Sequence, residues 1–119
     1  MTLEELLQAI KQGKLIQGED FSGQDFSDQD FSRASFSSCN FKSTNLRNSK
    51  LSHAKLRECN FSKADLRGAD LANSDLFNAD MTGAKLRRAN LTNSNRMGTK
   101  IRKWALKGAY IAGPTAYID

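Results

Sequence analysis

Asp65, Asp70, Asp75 and Asp80 stand five residues apart, and carboxylates in series are what general acid–base catalysis or a calcium site would need. His53 is the single histidine, and one imidazole without a Cys pair or acid cluster beside it does not make a metal site. Cys39 and Cys59 are the only thiols and form no CxxC pair, so they outline neither a zinc site nor a disulfide scaffold. Ser22, Ser27, Ser32 and Ser37 repeat at the same interval of five, but a serine is a nucleophile only with a base in reach. Glycine-rich phosphate loops are absent. The remaining chemistry is charge, because Arg47, Arg67, Arg87 and Lys107 recur at intervals of twenty with Arg88 beside them.

All of these residues ride on one period. Apolar residues occupy Phe21, Phe26, Phe31, Phe36, Phe41, Leu46, Leu51, Leu56, Phe61, Leu66, Leu71, Leu76, Met81, Leu86 and Leu91, fifteen centres without an insertion. Two positions before each centre the chain is small from Ala34 onward, and between them sits a polar residue, often Asp or Asn. A helix of 3.6 residues per turn would scatter these centres around its cylinder, and a flat strand would alternate them between faces. A chain that bends by a fixed amount every five residues returns each centre to a common axis. The period therefore predicts a solenoid with a Phe/Leu interior and coils hydrogen-bonded at strand spacing, about 4.7–4.9 Å.

The 119 residues suit one domain, and their net charge of +5 is unevenly spread. Residues 1–30 hold seven acids and two bases, a net of −5, while the rest hold six acids and sixteen bases, a net of +10. With no long apolar run or signal-like segment and two unpaired thiols, the chain reads as a cytoplasmic protein without a membrane role. Solenoids expose apolar ends and need caps. Thr2 and Glu5 fit a capping box, Leu3, Leu6, Leu7 and Ile10 share one helical face, and Gly13 can end the helix. Residues 1–14 are thus expected to form a helical cap.

The stretch Ala64-Asp65-Leu66-Arg67-Gly68, repeated as Ala69-Asp70-Leu71-Ala72-Asn73, resembles the A(D/N)LXX consensus of the pentapeptide-repeat family. The resemblance spans about residues 19–95. It implies an all-β solenoid, a right-handed quadrilateral β-helix with four pentapeptides and hence twenty residues per coil. On that frame residues 15–103 form the helix and 104–119 a C-terminal cap or dimerisation tail. Glu19, Gln24 and Gln29 replace the small residue of the consensus, so the first coil is expected to flare.

Twenty-residue coils sort the chemistry into columns. The four aspartates fall on four different faces and cannot converge. Arg47, Arg67, Arg87 and Lys107 form one outward column flanked by Arg88, a candidate face for an anion or acidic partner. Neighbouring cations there repel by about 1 kcal/mol in water, and a solvated face partly neutralised by Asp65 is the plainer reading. Phe77 points outward in another column, with a stray surface aromatic preferred to a partner contact. Cys39 and Cys59 share a column as small fillers.

Beyond Leu91 the chemistry changes. Arg96 takes a centre, where a charge does not suit an apolar bore, and Trp104 takes a slot made for a small residue. Residues 96–119 are expected to form a distorted coil and a plug of Trp104, Leu106, Tyr110, Ile111, Tyr117 and Ile118; Trp104, Tyr110 and Tyr117 are also candidate apolar contacts. The protein is expected to be a monomer, or a homodimer through this end.

The combined reading is a non-enzymatic scaffold or protein-interaction module with no cofactor and no metal. Polyanion or nucleic-acid binding through the basic face is the alternative, although no aromatics interleave with its cations. DNA mimicry, by which some members of the family protect DNA gyrase, ranks third because it needs an acidic rod.

Overall fold

The computed structural model describes residues 1–112, and in it the chain winds as a right-handed, four-sided β-helix. Parallel bridges join residues twenty apart all along it, from Asp20 with Asn40 through Asp80 with Lys100 to Asn90 with Tyr110. Among the described residues three sides are regular strands, β1 (Leu15–Gln17), β2 (Ser35–Ser37) and β3 (Lys55–Arg57), paired in parallel in that order. Elsewhere a single bridge per side suffices, because five residues leave room for one extended step and a corner.

Each corner is a β-turn. Phe41 O accepts from Thr44 N at 3.1 Å, and the same bond closes Leu46–Ser49 and Leu66–Ala69. The second residue after each centre from Ile16 to Arg96 takes a positive φ, with glycine at positions such as Gly68 and Gly83 but Ser43, His53, Glu58, Lys63 and Arg88 at others. Asp or Asn before the centre accepts from the N–H two residues on, as Asp70 Oδ1 does from Ala72 at 3.0 Å and Asn90 Oδ1 from Thr92 at 3.0 Å. The polar letter of the repeat is therefore a corner brace.

The centres fill the bore. Ile16 is an additional buried centre ahead of Phe21, lying under Phe36 in the β1–β2 register. Phe21, Phe41 and Phe61 stack one coil apart, with centroids 5.2 and 4.9 Å apart. Small residues two before the centres are buried, and Thr44 Oγ1 donates to Phe21 O at 2.9 Å. Cys39 and Cys59 are free and buried in these slots. Glu19, Gln24 and Gln29 are only half-buried, and the bridges beside them keep the twenty-residue register, so the larger side chains do not slip the first coil.

Helix α1 (Leu3–Lys11) closes the N-terminal end. Its capping box is complete, with Thr2 Oγ1 accepting from Glu5 N at 3.1 Å and Glu5 Oε1 from Thr2 N at 2.8 Å. Gly13 at φ +70° turns the chain out while Lys14 N donates to Ala9 O. Leu6 is fully buried in the core, with Leu3, Leu7 and Ile10 packed against it. Burying a leucine such as Leu6 contributes about 1.5–3 kcal/mol before entropy.

The far end differs from expectation in two ways. Arg96 stays in the bore as a centre, 2% exposed, and the bridge of Asn95 to Asp75 is kept. The expected aromatic plug does not form among the described residues: Trp104 is 70% and Tyr110 61% exposed. An indole cannot enter a slot sized for alanine, so the third side of this coil becomes a 3-10 helix (Lys103–Leu106) that turns Trp104 outward. Tyr117 and Ile118 lie outside the described residues.

Candidate functional site

The column after the third centre of each coil carries Arg47, Arg67, Arg87 and Lys107 on successive coils. Its lower half is paired. Asp65 takes a bidentate contact from Arg67, Nε to Oδ1 at 2.8 Å and Nη2 to Oδ2 at 2.6 Å, and lies 4.0 Å from Arg47 Nε. The Arg67 hydrogen bond, outweighing partial burial, holds the Asp65 carboxyl below its ordinary value. Arg67 is correspondingly raised by the same bond and charge.

One coil up, Lys85 replaces the aspartate in that position, so among the described residues no acid from the face itself pairs with Arg87 or Lys107. Two adjoining depressions of about 620 and 430 Å³ open here. Both are lined by Arg87, Trp104 and Lys107, and Arg67 and Lys85 complete the second. The Arg87 stem lies against Gly108, where an added Cβ would sit 3.5 Å from Arg87 Cγ. The sequence places Trp104 in an inward slot and therefore misses this arrangement. The 3-10 helix brings the indole beside the cations, correcting the expectation that no aromatic joins them. Arg88, exposed, has φ +62° at the same corner and stands next to this face.

The other candidates do not converge. Phe77 is half-buried because the Arg57 guanidinium lies 4.5 Å above its ring, and Arg57 also pairs with Asp75 at 3.1 Å. Tyr110 is exposed on the fourth side of the last coil, bridged to Asn90. Asp65, Asp70, Asp75 and Asp80 lie on four sides, each accepting from its own corner. Among the described residues no group of three or more His, Cys, Asp or Glu is placed to hold a metal ion. The hydrogen bond with Cys39, then burial, pushes the Cys59 thiol up, which keeps it protonated and inert. No helix among the described residues is long and apolar enough to cross a membrane.

The geometry, then, is a short rod of 36 × 24 × 21 Å with a filled apolar interior and two adjoining basic, tryptophan-lined depressions near its C-terminal end. The sequence matches the family described as pentapeptide repeats, in eight copies, over residues 20–52 and 54–93. Among solved structures it is similar to HetL, a pentapeptide repeat protein involved in heterocyst differentiation regulation from Nostoc sp. strain PCC 7120, at 31% identity and TM-score 0.61. That match covers 92% of this chain and 46% of HetL, so the chain spans about half of HetL's length. It is also similar to alr5209, a pentapeptide repeat protein from Nostoc PCC 7120, at 26% identity and TM-score 0.73, covering 92% and 95% of the two chains. QnrB1, a plasmid-mediated fluoroquinolone resistance protein, shares the fold at 20% identity and TM-score 0.54, over 82% of this chain and 62% of QnrB1. No curated protein matches the sequence.

Proposed function

Since this chain belongs to the pentapeptide-repeat family, we propose that it is a non-enzymatic, rigid scaffold that binds a protein partner. The observation that carries the proposal is the Arg87–Trp104–Lys107 depression: exposed cations without an acid from their own face, grouped around a large exposed aromatic. Arg and Trp are the side chains that most often anchor interfaces, and the coils hold their backbone in place, leaving only side chains to be ordered on binding. The complementary partner surface is acidic with an apolar residue for the indole. Cations on the last coil (Lys100, Arg102, Lys107) oppose pairing of two C-terminal ends and favour the monomer over the homodimer.

Polyanion binding is the second reading, favoured by the same juxtaposition of indole and cations, which resembles a stacking platform. DNA mimicry of the kind that protects gyrase needs an acidic rod, and here only the first thirty residues carry a net negative charge. Capture of proteins from the source cell by the wild type and by Arg87→Glu/Trp104→Ala/Lys107→Glu tests the proposal. A partner retained by the first and lost by the second supports it, and one retained equally by both overturns this face. Retention on heparin with a steep salt slope, without a protein partner, would shift the assignment to the second reading.

A further inference from the structure

Among the described residues the bore holds one charge, and none of them answers it. Arg96 is 2% exposed at a centre position, and its Nε and Nη1 have no hydrogen-bond partner among the described residues. The residue stacked below it is Leu76, whose carbonyl is already taken by Thr99 Oγ1 at 2.6 Å. The nearest acid by register, Asp75, faces outward and is committed to the Phe77 N–H, Arg57 and Asn95. The other centres of this last coil, Ile101, Leu106 and Ile111, are more exposed than the centres of the coils before it, so the close apolar packing of the bore ends beside the guanidinium.

A buried guanidinium without a partner costs several-fold more than a buried neutral group, and burial drives its pKa down. Carboxylate or phosphate oxygens match its planar donors best. We propose that the C-terminal mouth of the bore is an oxyanion site with Arg96 as its floor. Two sources share this chemistry. One is a free phosphate or carboxylate. The other is Asp119, the only acid in the sequence after Asp80, among eight bases.

Thermal unfolding of the full chain tests the site, with inorganic phosphate compared against chloride at equal ionic strength, in the wild type, Arg96→Met, Asp119→Asn and the double variant. If the oxyanion comes from solution, phosphate at ten times its dissociation constant raises the wild-type midpoint by about 5 °C and leaves Arg96→Met unmoved. If it comes from Asp119, Asp119→Asn lowers the midpoint only when Arg96 is present, and phosphate restores it. The site is refuted if phosphate moves Arg96→Met as far as the wild type and Asp119→Asn acts equally with or without Arg96. Should Arg96→Met fail to fold, the Arg96 Nε–H resonance of the wild type, followed during phosphate titration and in Asp119→Asn, gives the same decision. A shift in either supports the site, and a resonance unmoved in both refutes it.

Discussion

At the scale of single residues, each letter of the repeat has a separate physical task. The aspartates that look like candidate acids spend their oxygens on their own corners. Asp80 Oδ1 accepts from Thr82 N at 2.9 Å, so Asp80→Ala is expected to cost about 1 kcal/mol while Asp80→Asn keeps the acceptor and costs little. Chemical denaturation of the two variants checks this. Asp20, Asp25, Asp30, Asp65 and Asp80 are all held below the ordinary 3.8, mainly by these hydrogen bonds. A depressed folded pKa adds stability that is complete above the unfolded value and disappears as pH falls through the folded one. The melting midpoint should therefore stay level down to about pH 5 and decline below it, and changing all five residues to Asn should flatten the decline. An acid limb unaltered in that variant would show that other groups govern it.

The left-handed corner residue is the letter least legible in the sequence. Gly68 and Gly83 signal it, but His53, Glu58, Lys63 and Arg88 adopt the same φ with no compositional sign. Their conformation is imposed by the coil above and below, which a local pattern does not display. Gly68 has an additional reason to remain glycine, because an added Cβ would run into the Asn48 side chain. Gly68→Ala should therefore destabilise the wild type and be partly rescued by Asn48→Ala, the strain of φ +73° remaining, whereas Gly83→Ala, at the same φ but with Lys63 no nearer than 3.5 Å, should cost less. Urea midpoints of the four variants measure the coupling, and equal costs for Gly68→Ala with and without Asn48 would remove the explanation.

At the scale of elements, the period of five was enough to place the coils, because one slip would move every centre out of the bore. The cap helix was equally legible from Thr2, Glu5 and the Leu3–Ile10 stripe. Ile16 was hidden because the polar residues before it lack the repeat's letters, although it completes the first coil beneath Phe36. The last coil was misread for a different reason: Trp104 resolves its misfit by leaving the interior, which converts one side into a 3-10 turn. Phe41 lies between Phe21 and Phe61 in the stack, so Phe41→Ala should open a cavity and cost about 3–5 kcal/mol, with Phe41→Leu costing much less. Equal unfolding midpoints for the two would mean the stack is not close-packed.

At the scale of the whole molecule, the same winding that buries the centres distributes polar side chains singly over four faces. That explains why serines and aspartates in abundance build no converging site, and why cations spaced by twenty meet on one side. Where Asp65 gives way to Lys85, the face changes from paired to basic, and Trp104 adds its anchor at that level. Charge order along the chain thus becomes charge order along the rod, acidic at the cap and basic at the mouth.

The most direct measurement is the proximity of side chains one lap apart. In a Cys39→Ala/Cys59→Ala background, nitroxide labels at Arg47→Cys and Arg67→Cys should lie on adjacent coils, about 4.8 Å apart at the backbone, and show strong dipolar broadening. Labels at Arg47→Cys and Ser62→Cys, fifteen residues apart, should sit on different faces and show much less. Broadening as strong at fifteen as at twenty, or none at twenty, would contradict the four-sided coil and the basic face that depends on it.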